Sequence, residues 1–370
     1  MRLTLDISRC VRAVSKFASC HACVEASGGA VRIDDQLPTF AKGTGVEAAA
    51  CIGACPTEAF GLEGFSTTAF FFDFLQRGER VLKKGEHLPC LGVLSVEHFI
   101  ALALASDVPL EADVSDYKED KAMLARIGDR IEEANFVLES IKAHPIAVRL
   151  HGEPYRNEKP SREASDPEAR RRLLRESATI KGAVKYKLAF DAALEADETH
   201  RFVVDSELAE KIRDKVLPDK RKILYTVLKQ TPRPKAYEVL AEEDIRFISQ
   251  KYVTEACTNC QICYRICPTG ALGSDKKFSL IRFDAMLCVK CGLCHDVCEP
   301  EAIRLQPGVE TKIFFEPESK ILATFDVRRC FECGNPFTYF GGEQICERCR
   351  IEEEEAMTLI MNAKKTEGNA

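Results

Sequence analysis

Cys257-Thr258-Asn259-Cys260-Gln261-Ile262-Cys263-Tyr264-Arg265-Ile266-Cys267-Pro268 is answered further along by Cys288-Val289-Lys290-Cys291-Gly292-Leu293-Cys294-His295-Asp296-Val297-Cys298. Each run has a Cys at every third position, three times, and a fourth after a gap of three residues. On a tight loop that spacing turns three thiolates to one side, while the fourth is carried into the next element. Working outward, the remaining Cys are also grouped: Cys10, Cys20, Cys23, Cys51 and Cys55 form one set and Cys330, Cys333, Cys346 and Cys349 another. Cys90 stands alone, and no Cys lies between it and Cys257.

The rest of the composition narrows the class. The chain has 370 residues, 30% of them charged, with a formal net charge of −6, which argues against a general nucleic-acid binder. At this size 18 Cys do not describe a small disulfide-stapled secreted scaffold. The N-terminus lacks the apolar core of a signal peptide, and no apolar stretch is long enough to span a bilayer. The expected location is the cytoplasm, without membrane insertion, where clustered thiols stay reduced and read as metal ligands.

Residues 251–308 resemble the bacterial two-cluster ferredoxins. The resemblance implies two [4Fe–4S] clusters, with the fourth Cys of each run crossing to the other cluster. Cluster A then takes Cys257, Cys260, Cys263 and Cys298, and cluster B takes Cys288, Cys291, Cys294 and Cys267. One departure is visible. Cys298 is followed by Glu299-Pro300 rather than directly by Pro, which should shift a turn slightly and leave ligation intact.

The N-terminal group resembles the same fold with ligands lost. Cys51-Ile52-Gly53-Ala54-Cys55-Pro56-Thr57-Glu58-Ala59 is similar to the tail of a ferredoxin half. Its partner ligand positions hold Gly45 and Ala48, and Ser27 stands where the first half should end on Cys. Cys20, Cys23 and Cys55 remain, and Cys10 completes a set of four if an insertion has pushed it back. One [4Fe–4S] cluster is expected there, with a four-thiolate zinc site as the rival. Cys51 reads as a small buried hydrophobe. In the last group, two Cys-x2-Cys pairs separated by 12 residues read as a closed tetrahedral zinc site, a zinc ribbon, through Cys330, Cys333, Cys346 and Cys349. A rubredoxin-like iron site shares that ligand count, but the second pair lacks the Pro and Gly seen in rubredoxins.

The expected architecture is α+β and multi-domain. It comprises a degenerate ferredoxin module (1–64), a small α/β unit (65–150), a helical connecting region (151–250), the two-cluster ferredoxin module (251–308), a β-hairpin with the zinc ribbon (309–350), and an acidic tail (351–370), helical and then disordered. Strand–helix alternation in the second unit implies a parallel sheet. There, 67–76 is a buried helix or strand, 87–94 a strand carrying Cys90, 96–105 a helix and 109–116 a strand. Residues 120–142 form an amphipathic helix burying Met123, Ile127, Ile131, Ala134, Val137, Leu138 and Ile141. Residues 312–315 and 320–325 pattern as a hairpin. In the connecting region, Lys and Arg outnumber acids around Arg170, Arg171, Arg172 and Arg175, a solvated face or a docking patch for an acidic partner.

No nucleophile elbow, phosphate loop or dinucleotide fingerprint occurs. The expected function is relay of single electrons through three [4Fe–4S] clusters, beside one Zn2+, to or from a redox partner protein. The layout is similar to ferredoxin proteins that accompany formate dehydrogenases and hydrogenases. A role as an accessory or assembly factor for such an enzyme is the alternative, and a catalytic Cys90 fed by the clusters is a third, although Cys90 reads first as a packed core Cys. His21 and His295, beside ligand positions, are candidates for hydrogen bonds to cluster sulfur.

Overall fold

The computed structural model describes residues 1–106, 108–149 and 214–367. The basic stretch at Arg170, Arg171, Arg172 and Arg175, a helix start at 165–168 and most of a helix expected over 205–217 lie outside the described residues.

Two stretches of chain share one topology. In the first, strand Leu3–Leu5 pairs antiparallel with Phe60–Leu62. Between them run helix Ala22–Ser27, the hairpin of Val31–Asp34 with Leu37–Phe40, and helix Ala50–Ala54. In the second, Lys251–Val253 pairs antiparallel with Ile303–Leu305. The order between them is the same: helix Ile262–Arg265, strands Leu272–Gly273 and Leu280–Asp284, helix Leu293–Asp296. Helices of four to six residues do not persist by themselves, because nucleation costs more than so few hydrogen bonds return. Loop packing and ligand binding must hold them. Ser27, at the vacated ligand position, is buried; its hydroxyl donates to the Val24 carbonyl and accepts from the Val31 N–H at 3.0 Å. The hydroxyl closes the helix end locally.

The unit between these modules is α/β. Strands Val81–Lys83, Glu111–Asp113 and Ala147–Arg149 form a parallel sheet in chain order. Helices Thr67–Arg77, Val96–Ala105 and Lys121–Ser140 accompany it. The longest begins at Asp120, whose carboxylate accepts from the Met123 N–H at 2.9 Å, an N-cap. It buries Met123, Ile127, Ile131, Ala134, Val137 and Leu138. Helix Asp219–Leu228 packs along Val96–Ala105 and sends Ile223, Leu224, Val227 and Leu228 into the same core. One continuous apolar cluster therefore runs from Leu3 through Phe99, Ile131 and Leu224 to Phe283. Arg130 welds the first module to the α/β unit by donating to the carbonyls of Ala50, Gly92 and Leu94. Gly53 is required at this seam, since a Cβ would meet both the Arg130 guanidinium and the Leu94 carbonyl.

Three expectations are corrected. Residues 87–94 do not form a strand. Cys90 instead caps a 3-10 turn at Leu91–Val93, its Sγ accepting from the Gly92 N–H at 3.2 Å. Ser95 starts a helix immediately afterwards with a capping box to His98, so no room is left for a ladder. Residues 312–315 are one helical turn, Lys312–Phe315, burying Ile313 and Phe314, rather than half of a hairpin. The following strand, Ser319–Thr324, pairs with Leu280–Asp284, because that edge of the ferredoxin hairpin offers unpaired backbone groups. The C-terminal helix, Glu347–Glu367, begins within the second Cys pair rather than after it.

Candidate metal centres

Three cavities are each lined by four Cys. Cys257, Cys260, Cys263 and Cys298 line the first, with Ile281, Val297 and Ile303. Cys267, Cys288, Cys291 and Cys294 line the second, with Leu272, Phe283 and Lys251. Cys10, Cys20, Cys23 and Cys55 line the third, with Val11, Pro38 and Phe60. They are of like size. These are sites A, B and N below. Cys51, fully buried, is not among the lining residues of site N.

A repeated backbone device positions the crossing ligands. Three residues after Cys55, Cys267 and Cys298 the chain turns left-handed, at Glu58 (φ 53°), Gly270 (φ 71°) and Glu301 (φ 47°). The turn brings an N–H or a hydroxyl back to the sulfur. Ala59 N–H donates to Cys55 Sγ and Ala302 N–H to Cys298 Sγ, both at 3.2 Å. Thr57 and Thr269 place hydroxyls 3.8 Å from Cys55 and Cys267 Sγ. The departure at Glu299-Pro300 does not disturb this turn. Donors aimed at sulfur favour negative charge there, which stabilises thiolates and the reduced form of a cluster.

Two of the buried thiols are unfavourably placed for ionisation without a metal. Burial first, and neighbouring thiols second, push Cys23 and Cys263 up to about 12. Binding of a metal cluster needs thiolates, so loading these sites releases protons. Each of sites N and B also has a cation at hand. Arg12 Nε donates to the Cys20 carbonyl at 2.7 Å, and Lys251 lines site B. These cations occupy the imidazoles expected to reach sulfur. Arg12 Nη2 lies 3.2 Å from His21 Nε2, and Lys251 Nζ lies 2.7 Å from His295 Nε2.

The sites follow one another in space as A, B, N. Cys263 of site A and Cys294 of site B are close enough to influence each other electrostatically. Site N meets site B through a clamp and a small apolar cluster. Ser19 N–H and Oγ donate to the two Asp296 carboxylate oxygens at 2.9 and 2.7 Å. Beneath this clamp Val11, Ala18 and Leu293 are buried together, with Cys20 and Cys291 packed against them. The outer end is open, since Cys260 is exposed. A charged cleft lined by Cys20, Cys291, Arg126, Glu133 and Lys290 opens between sites N and B.

Cys330, Cys333, Cys346 and Cys349 form a fourth group, with all Sγ atoms within 4.8 Å of one another. With a metal–sulfur distance of about 2.3 Å, a tetrahedron has an S–S edge of about 3.8 Å. The Cys333–Cys346 separation is 3.7 Å. Strands Val327–Arg329 and Pro336–Thr338 carry the first pair, and Gly334 makes the tight turn with φ 70°. Asn259 Nδ2 donates to Thr338 Oγ1 at 3.1 Å, so this unit is tied to the ligand loop of site A.

Sequence reasoning missed Lys220 and Arg221, which sit between sites N and B. Both are buried, Arg221 with no exposed surface. A signal was present. Lys220 and Arg221 lie one helical turn ahead of Leu224, on the face that also carries Val227 and Leu228.

Residues 256–303 match the family model of the 4Fe-4S dicluster domain. Neither the curated proteins nor the solved structures contain a match to the chain. No helix among the described residues is long and apolar enough to cross a membrane. The chain is thus a mixed helix-and-strand protein with an iron–sulfur dicluster domain and a further group of four Cys able to hold a metal.

Proposed function

We propose that the chain relays single electrons through three [4Fe–4S] clusters, at sites A, B and N in that order, with a structural zinc at Cys330, Cys333, Cys346 and Cys349. The observation that carries this reading is the row of three four-Cys cavities of like size. A fully Cys-ligated cubane has no open iron for substrate, so its chemistry is to take and give one electron. Exposed Cys260 marks the end where a soluble redox partner has access. The partner is an oxidoreductase such as a formate dehydrogenase or hydrogenase, met in the cytoplasm, on the strength of the ferredoxin-like layout.

Anaerobically purified protein should hold about 12 iron, about 12 sulfide and about one zinc. An iron content near eight removes site N from the relay. Reduction by dithionite followed by electron delivery to the partner enzyme supports the relay. If deletion instead leaves that enzyme unassembled rather than unfed, the chain is an accessory factor.

The zinc assignment has its own test. Replacing Cys346 by Ser should release the zinc and unravel 327–349, because a unit this small has little core without its metal. Iron content and the visible iron–sulfur absorption should stay unchanged. Loss of iron in place of zinc would make this a rubredoxin-like site.

A further inference from the structure

Among the described residues, three deeply buried charged side chains meet between sites N and B. Glu97, Lys220 and Arg221 are 1%, 4% and 0% exposed. Lys220 Nζ lies 3.7 Å from one Glu97 oxygen and Arg221 Nη2 lies 3.2 Å from the other. Two cations thus share one carboxylate. Arg221 Nη2 also donates to the Phe247 carbonyl at 2.6 Å, and other donors of the pair go to ligand loops. Lys220 Nζ donates to the carbonyl of Cys55, a lining residue of site N, at 2.7 Å. Arg221 Nη1 donates to the carbonyls of Cys288, a lining residue of site B, and Met286, at 2.8 and 2.9 Å. No hydrogen bond links the triad to the loops of site A among the described residues.

Further carboxylates lie within electrostatic reach of the triad, Glu58 beside Lys220 and Glu133 beside Glu97. Burial opposes ionisation of Glu97, but Lys220 and Arg221 overcome it and hold the carboxyl below its ordinary value. Glu58 accepts from the backbone N–H groups of Asp219 and Lys220, and burial raises its pKa. His98 is pushed down to about 4 by burial and stays neutral at pH 7. A fixed buried charge shifts a nearby redox centre more than a surface charge does, because the interior screens it less.

We propose that Glu97 is a shared counter-charge for sites N and B: it offsets the two cations that face their ligand loops, and so sets the reduction potentials of those two clusters together while leaving site A untouched. The inference rests on the iron–sulfur reading of the three sites. Lys220 serves site N, Arg221 serves site B, and Glu97 moderates both. Neither Glu97 nor the cations ligate metal; they act through the field at the cluster.

The test is a potentiometric titration of the full-length, anaerobically purified protein, followed by electron paramagnetic resonance, with metal content measured first. In Glu97→Gln, two of the three clusters should become easier to reduce. At a fixed poise each reduced-to-oxidised ratio should rise at least tenfold, about 59 mV for one electron. The third should not move. In Lys220→Met a single cluster should shift the other way. A uniform shift of all three clusters, or none in fully loaded protein, overturns the proposal and leaves the electron-relay reading standing. A parent protein without iron overturns that reading itself. If Glu97→Gln loses iron, Lys220→Met decides, and iron loss in both variants makes the triad a structural element, which also overturns the proposal.

Discussion

Cys10→Ser should purify with about eight iron in place of about twelve, while Cys51→Ser keeps the full complement. The two residues compete for one role, the fourth ligand of site N, and the structure places them differently. Nine residues separate Cys10 from Cys20, an insertion that has to be folded back. The fold-back is built from specific contacts. Arg12 closes the loop onto the Cys20 carbonyl, and Val11 and Ala18 bury themselves against Leu293. Cys10 itself is buried just ahead of helix Val11–Val14 and lines the cavity with Cys20, Cys23 and Cys55. Cys51 sits inside helix Ala50–Ala54, with burial the main force pushing its thiol up, against the seam held by Arg130. Serine there buries a hydroxyl in place of a thiol, a cost of about 1–3 kcal/mol in stability with no ligand lost. Iron and sulfide analysis of the two variants, beside the parent, settles the assignment. The reverse pattern would move the cluster onto Cys51 and make Cys10 a packing residue.

What the sequence made legible was local. The ligand runs at 257–298 repeat with fixed spacing, and each crossing Cys carries its own turn. The same turn recurs at Glu58 in the N-terminal group, where Gly45, Ala48 and Ser27 stand at expected ligand positions. The long amphipathic helix was legible for the same reason, since its buried face is written at helical period. The joins between units were not. Ser19 and Asp296 are 277 positions apart, and nothing in either segment names the other. Cys90 fits a packed core thiol, although not at a strand end: in the fold it is a buried cap whose neighbour, the Leu91 N–H, donates to Tyr117 Oη at 2.8 Å. Lys220 and Arg221 open a helix, and Lys and Arg are mostly exposed in folded proteins. Their burial depends on Glu97 and on carbonyls of Phe247, Met286 and Cys288, all distant in sequence.

The same burial makes Arg221 the residue whose loss should be felt most in stability. Its guanidinium donates to three carbonyls, Met286, Cys288 and Phe247, and to Glu97, and its plane lies over the Phe247 ring at 5.4 Å. Leucine fills part of the volume and supplies none of the donors. Three buried carbonyls lose a partner, and Glu97 keeps only the longer contact to Lys220. Removing one member of a buried ion pair costs about 3–5 kcal/mol, against a total of about 5–15 kcal/mol for a folded protein. Arg221→Leu should therefore lose most of its margin, seen as an earlier thermal transition and faster bleaching of iron–sulfur absorption in denaturant. A chain with bound clusters does not unfold in two states, so both are read as rates at fixed temperature. Adding Glu97→Gln to Arg221→Leu removes a carboxylate that has already lost its shorter contact, so it should cost less than it does alone. The double variant should fall short of the sum of the singles by about 1–3 kcal/mol, the range for residues in direct contact. Simple additivity would mean that Arg221 acts on the carbonyls alone and that Glu97 belongs to Lys220.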